Sequence, residues 1–194
     1  MKLIIDGQLV EAKQDQSLLD ILREMNLVTG KLSTEPLAAK LAGEVFTLNY
    51  IPFRKKETLP ERPSVRRAMS ASQGVVHLLR YSDATGKEAY GRTAQFVLFL
   101  ALRQLWPQAR AKMNCTIGSG LFVKVTDVED FSAAKLKEQV QKIVEMDIPL
   151  IRSRWTTQEA IASYTAQGQE DKARLLSWRT LEYFDIYAYG DFAD

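Results

Sequence analysis

Arg92 and Phe96 lie four residues apart in GRTAQFVLFLALRQLWPQAR, residues 91–110. On a helix that spacing stacks two side chains one turn apart, and it is the spacing at which a pair of histidines grips a metal ion. Neither residue present can do so, because a guanidinium offers no lone pair and a phenyl ring has no acid–base group. Arg92 reads as the opening of this helix, where its planar guanidinium can meet a carboxylate or phosphate. The competing reading makes Arg92 an exposed first-turn residue and Phe96 part of the core.

Other chemistry-bearing residues are few. The single histidine, His77, sits in the apolar run VVHLLRY, and the single cysteine, Cys115, follows Asn114 in an expected strand. That excludes an intramolecular disulfide and any mechanism needing two histidines. His77 is expected to be a structural or surface residue, and Cys115 a buried, inert thiol. Asp127, Glu129 and Asp130 cluster just before a helix, where carboxylates favour the positive end of its dipole. Asp185, Asp191 and Asp194 form the other acidic group. No G-x-x-x-x-G-K-[ST] occurs, and Gly118-Ser119-Gly120 falls between strands, which makes it a hairpin and not a dinucleotide loop.

The basic residues Arg54, Lys55, Lys56, Arg62, Arg66 and Arg67 belong to RKKETLPERPSVRRAMSASQG, residues 54–74. Its prolines and Ser/Ala/Gly tail mark a long exposed loop. One reading is a solvated insertion, the other a phosphate-contacting arm; lacking aromatics, the arm offers electrostatics without base stacking.

The elements that must position these residues follow from turn and cap signals. Asp6-Gly7 joins two short strands at 3–5 and 8–12, and Ser17 opens an amphipathic helix with Asp20 three residues on. Strand, turn at Ala42-Gly43 and strand follow over 37–49, then a strand at 75–81. DATGKEAYG, residues 83–91, reads as a glycine-containing turn at a domain junction. Beyond it come the helix ended by Trp106-Pro107, strands near 111–117 and 120–126, a helix capped by Ser132, a strand at 151–157, one or two helices broken near Gly168, and a terminal strand and turn. The expected class is α+β in two domains. Composition is that of a globular protein, 46% apolar and 26% charged, and a net charge of +2 leaves no global field for nucleic acid. With no membrane span or signal-peptide pattern, the chain reads as cytoplasmic.

The first eighty or so residues resemble a TGS domain, the ubiquitin-like β-grasp module at the front of threonyl-tRNA synthetase. IIDGQLVEA, SLLDILREMN and LAAKLAGEVFTLNYI stand in the places of its hairpin, helix and strand pair, while the basic insertion 54–74 is longer than such domains need. Residues 85–194 resemble the synthetase's second additional, editing domain, through TAQFVLFLALRQLWPQARAKMNCTIGSGLFVKV and the segment IYAYGDFAD. The resemblance implies a TGS-like domain over 1–84 and an editing-like domain over 85–194, truncated at its C-terminus. In that family two histidines act with a Cys-x-x-x-His that would fall after Asp194; with Arg92 and Phe96 in the histidine places, no catalytic or metal residue is expected here.

Fused nucleoside kinases resembling uridine kinase carry the same pair of domains ahead of a P-loop kinase and also lack the histidines. They have sequence similar to DIPLIRSRWTTQEAIASYTAQGQEDKARLLS and to Tyr183…Gly190-Asp191-Phe192. This second resemblance implies a non-catalytic ligand-binding or regulatory region at the N-terminal end of a larger kinase. ATP, magnesium and phosphoryl transfer would then belong to a downstream kinase domain of the same chain. The alternatives are an RNA- or tRNA-binding accessory module related to threonyl-tRNA synthetase and, third, a degenerate deacylase for mischarged tRNA. A small-molecule ligand or RNA is the expected partner, with no membrane.

Overall fold

Asp6 and Gly7 both take positive φ, 48° and 81°, and so do Ala42 and Gly43, 54° and 87°. Two consecutive left-handed residues make the tight turn whose twist matches that of paired strands. Each pair closes a hairpin, β1 (Lys2–Ile5) with β2 (Gln8–Glu11) and β3 (Ala38–Leu41) with β4 (Glu44–Phe46). The computed structural model describes residues 2–53, 74–118, 120–190 and 192–193. The chain divides into two compact units, Met1–Ala94 and Gln95–Asp194.

In the first unit, α1 (Leu18–Glu24) starts at Ser17, whose hydroxyl accepts the Asp20 N–H while the Asp20 carboxylate accepts the Ser17 N–H. This reciprocal cap satisfies two otherwise orphaned amides. The loop after β4 supplies two more acceptors, the carbonyls of Tyr50 and Leu48 taking the N–H groups of Leu18 and Leu19. β5 (Val75–Leu79) runs parallel to β1 and antiparallel to β3, giving a five-stranded sheet in the order β2-β1-β5-β3-β4. Alternate residues Leu3, Ile5, Ala39, Leu41, Val76 and Leu78 point to one face and meet Leu18, Ile21 and Leu22 of α1. The two-residue period of strands and the three-to-four-residue period of the helix thereby converge on one core.

The stretch 83–91 is not the turn expected from its glycines. Residues 84–91 open α2 (Ala84–Leu105), a helix of 22 residues, and the boundary between the units falls inside this helix at Ala94. The helix is anchored at its start by Asp83. Its carboxylate accepts the Arg80 N–H at 2.7 Å and its carbonyl accepts the Lys87 N–H at 2.8 Å. Gly86 is needed there for space and not for a turn: any side chain would collide with the carbonyl of Arg80. Arg80 itself reaches back to the Asp6 carboxylate at 2.7 Å, tying the end of β5 to the first hairpin.

The second unit contains the C-terminal half of α2, a two-stranded ribbon of β6 (Arg110–Ile117) and β7 (Gly120–Thr126), and α3 (Ala133–Glu145) capped by Ser132. β8 (Ile151–Thr156), α4 (Thr157–Ala166), α5 (Glu170–Ser177), β9 (Tyr183–Tyr189) and β10 (Phe192–Ala193) follow. The strands β10-β9-β8 form an antiparallel sheet. One face of it, with Trp155, Phe184, Ile186 and Ala188, packs on Ala160, Tyr164 and Ala173 of α4 and α5. Tyr187, Tyr189 and Phe192 on the other face pack on Phe96, Leu100 and Ala101 of α2 and Ile143 of α3. Among the described residues no helix is long and apolar enough to cross a membrane.

Candidate functional site

Arg92 is not at the mouth of a helix. It lies eight residues into α2, on the solvent side, and its Nη2 meets the Glu88 Oε1 at 2.6 Å with 77% of the side chain exposed. Glutamate one turn before arginine is the favourable order for such a pair, and the guanidinium already has a carboxylate. Phe96 has the opposite fate. It is 6% exposed, with its ring edge-on to Phe192 at 5.1 Å between centroids. The four-residue spacing therefore joins an exposed ion pair to a core aromatic.

The remaining candidates are dispersed. Arg54, Lys55, Lys56, Arg62, Arg66 and Arg67 lie outside the described residues, as do Asp191 and Asp194. His77 is exposed on β5, opposite Lys40. Cys115 is exposed, contrary to the buried thiol expected of it, because among the described residues β6 pairs only with β7 and nothing covers the face it occupies. Asp127, Glu129 and Asp130 precede the Ser132 cap, and Asp127 is 3.6 Å from the Arg110 guanidinium. Together with Trp106, Pro107 and Lys135 they line an open hollow of about 470 Å³.

A polar cluster on β8 and β9 joins Asp185, noted from the sequence only as one of an acidic group, to two arginines that sequence reasoning did not single out. Arg152 and Arg154 alternate along β8 and so share a face, and the register sets Arg154 directly opposite Asp185 of β9. Arg152 Nη2 donates to Asp185 Oδ2 at 2.7 Å and Arg154 Nε to Oδ1 at 3.1 Å. Each carboxylate oxygen thus receives one guanidinium. Partial burial pushes the Asp185 pKa up, but the hydrogen bonds and charges of the two arginines outweigh it and hold the carboxyl below its ordinary value. A carboxylate so occupied is a clamp across two strands and a poor proton acceptor. The Nε of Arg152 is buried without a hydrogen-bond partner among the described residues. The Arg-x-Arg alternation was visible in IRSRWT, but its partner could be named only from the β8–β9 register.

The likeness of the whole chain to known proteins bears on these placements. No protein-family model matches the sequence. The relatives found share 22% identity over 195 residues in Syntrophomonas wolfei, 25% over 193 in Desulforamulus reducens and 26% over 197 in Acetivibrio thermocellus. Each alignment covers 97% of this chain, and each relative is a threonine–tRNA ligase. The chain is similar to threonine–tRNA ligases. It spans about a quarter of their length, 27% in these three. The similarity runs through both units, so it takes in the Arg92–Phe96 stretch together with the clamp and the ribbon. It supports the synthetase side of the resemblance, and the nucleoside-kinase parent stands without support from these relatives.

A metal held by this stretch of α2 does not fit the residues there. Phe96 has no donor atom and its ring is enclosed by carbon, while Arg92 is cationic and already paired. Among the described residues there is no group of three or more His, Cys, Asp or Glu that could hold a metal ion.

Proposed function

We propose that this chain is a tRNA-binding accessory module of threonyl-tRNA-synthetase type, without editing chemistry of its own. One observation carries the reading. In a chain similar to threonine–tRNA ligases along 97% of its length, the place that the resemblance assigns to a histidine holds a phenyl ring packed against Phe192. Hydrolysis of a mischarged tRNA needs a polarising or proton-transferring group at the ester, and a buried phenyl ring supplies neither.

The strand order β2-β1-β5-β3-β4, with β1 and β5 its one parallel pair, supports reading the first domain, 1–84, as a TGS-type β-grasp module. The second, 85–194, is then an editing-type domain turned to binding. The cations of 54–67, namely Arg54, Lys55, Lys56, Arg62, Arg66 and Arg67, supply charge for phosphates.

Fluorescence anisotropy with labelled tRNA tests the proposal. Binding is expected to weaken steeply as salt rises, and neutralising Arg54, Lys55, Lys56, Arg66 and Arg67 should flatten that dependence. No binding at low salt, or affinity independent of salt, overturns it. Saturable binding of uridine or ATP in equilibrium dialysis would favour the kinase-regulatory reading instead, and hydrolysis of seryl-tRNA by the chain would restore the deacylase.

A further inference from the structure

The ribbon β6–β7 has two unlike faces. Register pairs Arg110 with Thr126, Lys112 with Lys124 and Met113 with Val123, and, past an irregularity at Asn114, Cys115 with Phe122. Because direct partners share a face and successive residues alternate, Arg110, Lys112, Cys115, Phe122 and Lys124 lie together. The opposite face carries Ala111, Val123 and Val125, which are half-buried, together with Met113 and Leu121, which are exposed, whereas Lys112, Cys115, Phe122 and Lys124 are all exposed. What cover the ribbon has lies over Ala111, Val123 and Val125 on the aliphatic face, and the charged, aromatic face is left to solvent.

That face is electrostatically unsettled. Like charges directly opposite one another destabilise a strand pair, and here Lys112 faces Lys124. Among the described residues neither lysine has an ion-pair partner, and the nearby carboxylate of Asp127 is engaged by Arg110 at 3.6 Å. Beside the two ammonium groups stands Phe122, 46% exposed, a flat apolar ring with no core to enter. Paired cations next to an exposed aromatic are what a single nucleic-acid strand needs: ammonium groups for phosphates, and a ring for an unpaired base. A duplex would leave the ring without a base face to stack on.

We propose that the Lys112/Lys124/Phe122 face of the ribbon binds a single-stranded segment of RNA. This rests on the tRNA-binding reading above and gives it a surface. The 54–67 segment holds no aromatic residue, so it can hold phosphates without touching bases, whereas the ribbon does both.

The test uses the full chain and a fluorescein-labelled single-stranded RNA of twelve nucleotides, with the same strand in duplex as competitor. Lys112→Gln combined with Lys124→Gln should lower the slope of log affinity against log salt by about 1.4, the value for two lost phosphate contacts on a single strand. Phe122→Ala should weaken binding roughly tenfold and leave that slope unchanged, as expected for one lost stack. Unfolding midpoints of the variants check that the ribbon persists. A second readout needs no substitution: Cys115, the sole cysteine, shares the face, and saturating RNA should slow its alkylation by a maleimide several-fold. If tRNA binds but the variants keep wild-type affinity and slope and Cys115 is not protected, the ribbon is excluded while RNA binding stands. If the wild-type chain binds neither tRNA nor the oligonucleotide, both proposals fall.

Discussion

The two units spend their apolar side chains differently. In the first, one helix and one five-stranded sheet enclose a single cluster in which Leu3, Ile5, Leu18 and Leu22 have no exposed surface. In the second, helices lie on both faces of a three-stranded sheet, and its buried residues fall into two smaller clusters, around Tyr164 and around Phe96. The second unit also leaves large apolar groups in solvent, Trp178 at 82% and Ile117 at 65% among them. A sheet with helices on one face concentrates its core. One with helices on both faces divides its core, and here the Arg152–Asp185–Arg154 clamp adds a polar tie between two of its strands.

Substitutions can break or sharpen that contrast. The largest effect is expected from Leu22→Ala, which opens a cavity in the enclosed core and should cost about 4 kcal/mol in urea unfolding. Phe96→Ala should cost less, about 3 kcal/mol, because its cluster is smaller and can collapse around the gap. Equal losses at the two sites would remove the distinction between the units.

Asp185→Asn comes next. It removes the carboxylate that the two arginines share and should cost about 1–2 kcal/mol, allowing for solvent screening of a group that is only partly buried. The pH dependence has a definite sign. The native carboxyl is held below its unfolded value, so its contribution is complete above about pH 4 and is lost as pH falls through the native value. Wild type should therefore lose more stability than Asp185→Asn in that acid range. Parallel acid-unfolding curves would show that the clamp contributes nothing.

The smallest effect is expected from Arg92→Ala. An exposed pair one turn apart contributes no more than about 0.5 kcal/mol, and less in high salt. A change in RNA affinity on that substitution, at unchanged stability, would assign Arg92 to the binding residues.

Much of the local structure was legible from the residues themselves. Asp6-Gly7 and Ala42-Gly43 announced their hairpins, Ser17 with Asp20 and Ser132 announced their helices, and Gly168 separated α4 from α5. The residue types at 92 and 96 were enough to exclude a histidine-pair site. Other readings failed where neighbours distant in the chain decide the outcome. Gly86 looked like a turn residue because glycine favours turns, yet it lies in a helix, and it is glycine because the Arg80 backbone occupies the space where a side chain would be. Cys115 looked buried because free cysteine commonly is, yet among the described residues β6 has only β7 beside it.

Turn chemistry, helix caps and side-chain periodicity act over a few residues, and these the sequence determined by itself. Pairing β1 with β5 across some seventy residues, setting Asp185 between Arg152 and Arg154, and turning Lys112 toward Lys124 all depend on strand register. Register is chosen by the burial and hydrogen bonding of whole sheets, so only the tertiary structure could decide them.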